Sequence, residues 1–97
     1  MASEYVIKGL VLDAPSFVKS FKRLPEGIKK EARRLIGEMV MQERMPAKLH
    51  FHKLSGHDNI WTIHISSNDT YKASLTIKDG IAHFRKAGVH DEIDKHP

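Results

Sequence analysis

The hydrophobic pattern changes period near residue 48, and this constrains the fold more than any other feature. Before that point Ile28, Ala32, Leu35, Ile36, Met39 and Val40 recur at spacings of three, four and one. That is the stripe of an amphipathic helix. Beyond it the period is two. Leu49 and Phe51 alternate with His50 and His52; Trp61, Ile63 and Ile65 alternate with Thr62, His64 and Ser66; Tyr71, Ala73, Leu75 and Ile77 alternate with Lys72, Ser74, Thr76 and Lys78. Alternation of this kind describes strands with one apolar and one polar face. Asp79-Gly80 is a two-residue hairpin signal. Pairing Lys78 with Ile81 sets Leu75 beside Phe84, Ile77 beside Ala82, Thr76 beside His83 and Ser74 beside Arg85, so that apolar meets apolar and polar meets polar.

The first half supplies a strand over residues 4–12 and two helices. Asp13-Ala14-Pro15 is a helix entry with Asp13 as the candidate cap. Phe17, Val18 and Phe21 share one side of the short helix that follows. Pro25 starts a longer helix and Pro46 stops it. The expected class is α+β: a single domain over residues 1–97, with an N-terminal strand and a helical hairpin packed on one face of a twisted antiparallel sheet. Ninety-seven residues do not build two useful cores. No apolar run is long enough for a membrane span, and the N-terminus lacks a signal-peptide layout, so the expectation is a cytoplasmic protein with no membrane partner.

Charge and histidine divide the chain at the same boundary. Residues 1–48 carry ten Lys/Arg against six Asp/Glu, whereas residues 49–97 carry six of each. Lys29, Lys30, Arg33 and Arg34 form the polar side of the longer helix, a surface suited to anionic partners such as nucleic acid or to simple solvation. There are no cysteines, which excludes disulfides, thiolate metal sites and cysteine nucleophiles. All seven histidines lie at position 50 or later. On the expected open face of the sheet, His64 joins Thr62, Lys72, Ser74, Thr76, His83 and Arg85, with His50 and His52 at its edge. Imidazole exchanges protons near neutral pH. Two imidazoles and a cation suffice for RNA cleavage: one takes the 2′-OH proton, one protonates the 5′-oxygen, and the cation stabilises the phosphorane. No cofactor or metal is required. His50 and His52 form an HxH pair that zinc could use, but no complete ligand set has convincing spacing.

Three segments resemble the RelE/ParE superfamily of type II toxins. KLSGHDNIWTIHIS (residues 53–66) is similar to its "K-L-x-G … W-x-I-(R/H)-(V/I)-S" stretch. YKASLTIKDGIAHFRKAGVHDEI (residues 71–93) is similar to its "Y-R … (basic)-x-G-x-H" finish, and PSFVKSFKRLPEGIKKEARRLI (residues 15–36) to its helical hairpin. The histidine-bearing pattern looks most like the YafQ-type and HigB-type mRNA endonucleases. The resemblance implies ribosome-dependent cleavage leaving a 2′,3′-cyclic phosphate, with ribosome, mRNA and a cognate antitoxin as partners. It implies catalytic roles for His52, His64, an acidic position at Asp69 or Asn68, Lys86 and His90; strand parity instead sets Arg85 on the open face, and a bulge near Gly88 would reconcile the two. The resemblance also implies substrate contacts by Lys53 and Lys72, and by the helix cations Lys29, Lys30, Arg33 and Arg34. Asp91, Glu92 and Asp94 depart from the family pattern. They are expected to repel RNA, unless the tail swings away. The same superfamily includes ParE-like inhibitors of DNA gyrase that catalyse nothing, and a catalytically silent antitoxin-binding relative is a further alternative.

Overall fold

The computed structural model describes residues 7–40, 49–66 and 70–97. The element order is β1 (Gly9–Val11), α1 (Pro15–Lys22), α2 (Glu26–Gly37), β2 (His52–Lys53), β3 (Trp61–His64), β4 (Tyr71–Lys78), β5 (Ile81–Val89) and α3 (His90–Lys95). The five strands form one sheet in the order β1-β5-β4-β3-β2. β2 to β5 are antiparallel, while β1 pairs in parallel with β5 and makes the sheet mixed. That parallel edge requires a crossover, which the helical hairpin and the strands after it provide.

Pro15 opens α1 in its first turn. The cap is Ala14, not Asp13, and no side chain caps the helix. Phe17 is buried, with its ring centroid 5.4 Å from those of both Phe21 and Phe84. Val18 does not join them; it stands 41% exposed. α2 ends at Gly37 rather than at Pro46. Met39 nevertheless stays buried, and Val40 bridges in parallel to Ile7. Pro46, like residues 4–6 of the expected first strand, lies outside the described residues. Ala32, Leu35 and Ile36 of α2 meet Ile63, Ala73, Leu75, Ala82 and Phe84 of the sheet in one core. The apolar set of each strand therefore faces the helices, as the alternation requires.

Asp79 and Gly80 have φ of 54° and 80°, the two left-handed residues of a type I′ turn. The register expected from the turn holds as far as Leu75 opposite Phe84. Beyond that it shifts: Ser74 faces Lys86, not Arg85, and Arg85 is the extra residue of a β-bulge. Phe84 and Ala87 both enter the core, so the two residues between them turn to the other face together. β1 accompanies β5 only over Ile81 to His83. Past that point α1 replaces it. Ser16 Oγ donates to Arg85 O at 2.7 Å, and Ala87 N donates to Ser20 Oγ at 3.0 Å. These serines satisfy strand-edge groups that a sixth strand would otherwise pair.

The second face of the sheet is not open. α3 folds back across it, with Ile93 1% exposed and packed beside Gly88. Its first backbone amide, His90 N, donates to Thr70 O at 2.9 Å, which fixes the start of the helix against β4.

Candidate functional site

Three imidazoles meet at the end of β3. His64 is 8% exposed on the face away from the core. The His50 ring stacks on it, with centroids 4.4 Å apart and planes 24° from parallel. The His90 ring meets it edge-on at 5.8 Å. Each arrives from a different element: His64 from the last position of β3, His90 from the first of α3, and His50 from just before β2. His50 reaches the cluster because its backbone turns left-handed, with φ of 49°. Non-glycine residues seldom adopt this conformation. The turn also interrupts the alternation expected from Leu49 to His52, and the strand is confined to His52–Lys53.

His52 pairs with Thr62 in the β2–β3 register. Its Nδ1 lies 2.8 Å from His50 O. A carbonyl only accepts, so Nδ1 carries the proton in this contact. His52 thereby holds the backbone that presents His50. The ring stacked on His64 is that of His50, which sequence reasoning left at the margin. Strand parity does not supply this contact, because it depends on the left-handed turn at His50.

Asp94 organises the rest. Its Oδ1 accepts from Lys72 Nζ at 2.8 Å, and its Oδ2 lies 3.1 Å from His90 Nδ1. The carboxylate can only accept, so Nδ1–H of His90 points at Asp94 and Nε2 is left for proton exchange. The Lys72 side chain is 3% exposed, so this cation is a buried ion-pair member rather than a surface phosphate contact. The acidic tail thus does not swing away. One of its carboxylates is neutralised by Lys72 and orients an imidazole. The spacing of His90 and Asp94, one helical turn apart, is the sequence signal that would have found the pair.

The remaining expected residues are dispersed. Arg85 and Lys86 both reach the α3 face: Arg85 Nε donates to Pro97 O at 3.1 Å, and Lys86 Nζ to His96 O at 3.2 Å. The bulge removes the choice between them, because both side chains emerge on the same side. Ser74 Oγ also donates to Pro97 O, at 3.1 Å. Thr62, fully buried opposite Ser74, has a hydroxyl without a hydrogen-bond partner among the described residues. Lys53 pairs with Trp61, which packs toward the core, so strand parity sets Lys53 on the side away from the histidines. Lys29, Lys30, Arg33 and Arg34 lie on α2, across the core from the imidazoles. Lys29 pairs with Glu26 at 3.4 Å, and the Arg33 guanidinium sits 5.5 Å from the Phe21 ring centroid. Asn68 and Asp69 lie outside the described residues. Among the described residues, no group of three or more His, Asp or Glu side chains has an arrangement that could hold a metal ion, and no helix is long and apolar enough to cross a membrane.

This architecture is that of known toxins. A chain of the RelB-RelE antitoxin-toxin complex from Methanococcus jannaschii superposes with a TM-score of 0.65 and 26% identity, covering 87% of this chain and 96% of that one. YafQ from E. coli gives 0.59 at 17% identity, with 93% and 98% covered. The isolated E. coli RelE toxin gives 0.60 at 15% identity, with 94% and 96% covered. No protein-family model matches the chain, and no curated protein matches it by sequence. The fold is the RelE-like toxin fold, and the chain is similar along most of its length to RelE and YafQ.

Proposed function

From this RelE/YafQ-like fold, we propose that the chain is the toxin of a type II toxin–antitoxin system, a single cytoplasmic domain over residues 1–97, and an endoribonuclease acting on mRNA at the ribosome. The observation that carries the reading is the meeting of His50, His64 and His90 on one face of the sheet, with His90 oriented by Asp94. A ParE-like gyrase inhibitor has no use for a proton-exchanging cluster.

In the proposed reaction one imidazole of the His64/His90 pair takes the proton of a ribose 2′-OH. The 2′-oxygen attacks the adjacent phosphorus, and the bond to the 5′-oxygen breaks. The other imidazole, entering protonated, gives its proton to that oxygen. The products are a 2′,3′-cyclic phosphate and a 5′-OH, and no metal takes part. Lys86 and Arg85 supply positive charge for the phosphorane. His50 and His52 complete the imidazole end of the site, and Asp69 is a further candidate there. Lys72 acts through Asp94, as a positioning residue. Lys53 and the cations of α2 contact nucleic acid outside the reacting centre, where salt weakens their hold.

A cognate antitoxin is the proposed protein partner. A groove of about 380 Å³ between β1 and the helical hairpin presents Leu12 and Val18, each 41% exposed, between Lys22 and Arg33. Apolar walls with cations at the rim fit an amphipathic acidic segment.

The test is induction of the chain in cells, with primer extension on mRNA. Growth arrest with discrete breaks in translated messages is the expected result. His64→Ala and His90→Ala should each lower cleavage by roughly 10²- to 10⁴-fold, the usual range for general acid–base groups. Gyrase damage without mRNA breaks would select the ParE-like alternative. Breaks undiminished in the double variant would reject the histidine mechanism.

A further inference from the structure

The two cations assigned to the phosphorane already hold oxygens of their own chain. Arg85 Nε donates to Pro97 O at 3.1 Å and Lys86 Nζ to His96 O at 3.2 Å. Ser74 Oγ gives Pro97 O a second donor at 3.1 Å. Both acceptors belong to the two residues that follow α3. The helix itself is held by other means. Ile93 is 1% exposed, Asp94 pairs with Lys72 and with His90, and His90 N donates to Thr70 O. None of these contacts involves His96 or Pro97. His96 is exposed, Pro97 is half-buried, and neither belongs to the apolar core.

We propose that His96 and Pro97 form an autoinhibitory latch: their backbone oxygens take the places of phosphate oxygens on Arg85 and Lys86, and RNA must displace them before it is cut. The inference rests on the reading of these cations as the phosphate-holding charge of a ribonuclease site, and it names how that site is regulated. The chemistry is one of exchange. Carbonyl and phosphate oxygens accept from the same donors, but phosphate carries a full charge, so a guanidinium and an ammonium group bind it more strongly. The position is that of a cover beside the imidazoles. Lys86, Ser74 and Thr62 form one cross-strand row, and Gly88, Lys72 and His64 form the next on the same face, about 7 Å along the strands. Withdrawing the latch uncovers Ser74 and the two cations, while Asp94 stays on Lys72 and His90. The covered row is also unfinished: the Thr62 hydroxyl is fully buried with no partner among the described residues, which a surface made only for the closed state would pair. Opening breaks little. The backbone leaves the helix at His96, with φ of −134° and ψ of 65°, and only the three hydrogen bonds to the cations and Ser74 hold the latch down. Segments secured by a few polar contacts and no apolar burial open locally ahead of the rest of a fold.

The test measures binding of an uncleavable probe, 2′-O-methyl diuridylate without terminal phosphates, which carries one phosphodiester. The full chain is compared with a chain stopped after Lys95 as its amide, so that no new carboxylate is introduced. This shortened chain loses both latch oxygens and keeps every side chain assigned to the reaction. It should bind the probe roughly tenfold more tightly, the gain expected if the latch leaves the site open in about one molecule in ten. Ser74→Ala removes one of the three bonds from the latch and should tighten binding about threefold. Adding Arg85→Gln to the shortened chain should cancel its gain, which a merely structural role for residues 96 and 97 does not predict. Equal or weaker binding by either folded variant, a gain that survives Arg85→Gln, or no binding by the shortened chain at millimolar concentration would each overturn the latch. If the shortened chain does not unfold cooperatively in urea, Ser74→Ala decides alone. Because the probe cannot be cleaved, the ribonuclease reading fails or stands separately. A shortened chain that gains the probe but never cuts RNA keeps the latch and loses the enzyme. A full chain that cuts RNA as fast as the shortened one loses the latch and keeps the enzyme.

Discussion

β4 is buried on both of its faces, and the two burials differ in kind. Ala73 and Leu75 point into an apolar core roofed by α1 and α2. Lys72 and Ser74, their immediate neighbours, are 2% and 0% exposed under α3 and the residues that follow it. The first face is held by nondirectional burial that tolerates small shifts. The second is held by a few directional contacts: Lys72 to Asp94, Ser74 and Arg85 to Pro97 O, Lys86 to His96 O. One face fixes the fold and the other holds charges in a set geometry. A site that must position imidazoles and release its cover to a substrate belongs on the second kind of surface, because hydrogen bonds to water or phosphate can replace those of the cover.

The largest expected effect is on the apolar side. Phe84 is 1% exposed against Phe17. Phe84→Ala should lower unfolding stability by about 3–5 kcal/mol, measured by urea denaturation. Activity per folded molecule should persist. Loss of cleavage at full stability would break the division of labour between the faces.

The next effect lies on the polar side. Asp94→Ala leaves the Lys72 ammonium buried without its carboxylate. Since Asp94 is itself 34% exposed and water can enter, the expected loss is about 1–3 kcal/mol, below that of a sealed pair. Lys72→Met combined with Asp94→Leu removes both charges and should recover most of that stability. The same double variant should still cleave poorly, because His90 has lost the group that orients it. Stability and cleavage recovering together would show that Asp94 is only structural.

This asymmetry explains what was legible in the sequence. The core face was readable because periodicity records nondirectional burial residue by residue. Leu75 opposite Phe84 follows from the Asp79-Gly80 turn by counting. The polar face needed events that alternation does not encode. The Arg85 bulge shifts the register by one. The left-handed turn at His50 brings its ring onto His64. The hexapeptide α3 is too short for a periodic signal, and Asp91, Glu92 and Asp94 look like an RNA-repelling tail until Lys72 is seen beneath Asp94. His64 was found because it lies on a strand whose parity could be counted, and His90 because the segment that ends in it resembles the finish of the toxin family. The His90–Asp94 spacing was legible, but the neutralisation of Asp94 was not, because Lys72 lies 22 positions away.

A smaller effect is expected at Thr62. Its hydroxyl is fully buried and has no partner among the described residues. Thr62→Val keeps the β-branched shape and removes the polar atom. Stability should rise, by about 1 kcal/mol, as a higher midpoint in thermal unfolding. A fall would mean that the hydroxyl is satisfied and belongs to the polar network.

The smallest effect on stability is expected farthest from the site. Lys30 and Arg34 are exposed on α2, on the other side of the core from the histidines. Lys30→Gln/Arg34→Gln should change stability by less than about 0.5 kcal/mol. Cleavage of a short oligonucleotide should be unaltered, since such a substrate does not reach around the core. Association with ribosomes should weaken and lose part of its salt dependence, because each phosphate contact contributes to the slope of affinity against salt. A loss of oligonucleotide cleavage in this variant would couple the two sides of the molecule through the core. An unchanged salt slope would reduce these cations to a solvated helix face, leaving recognition of the anionic partner to the α3 side alone.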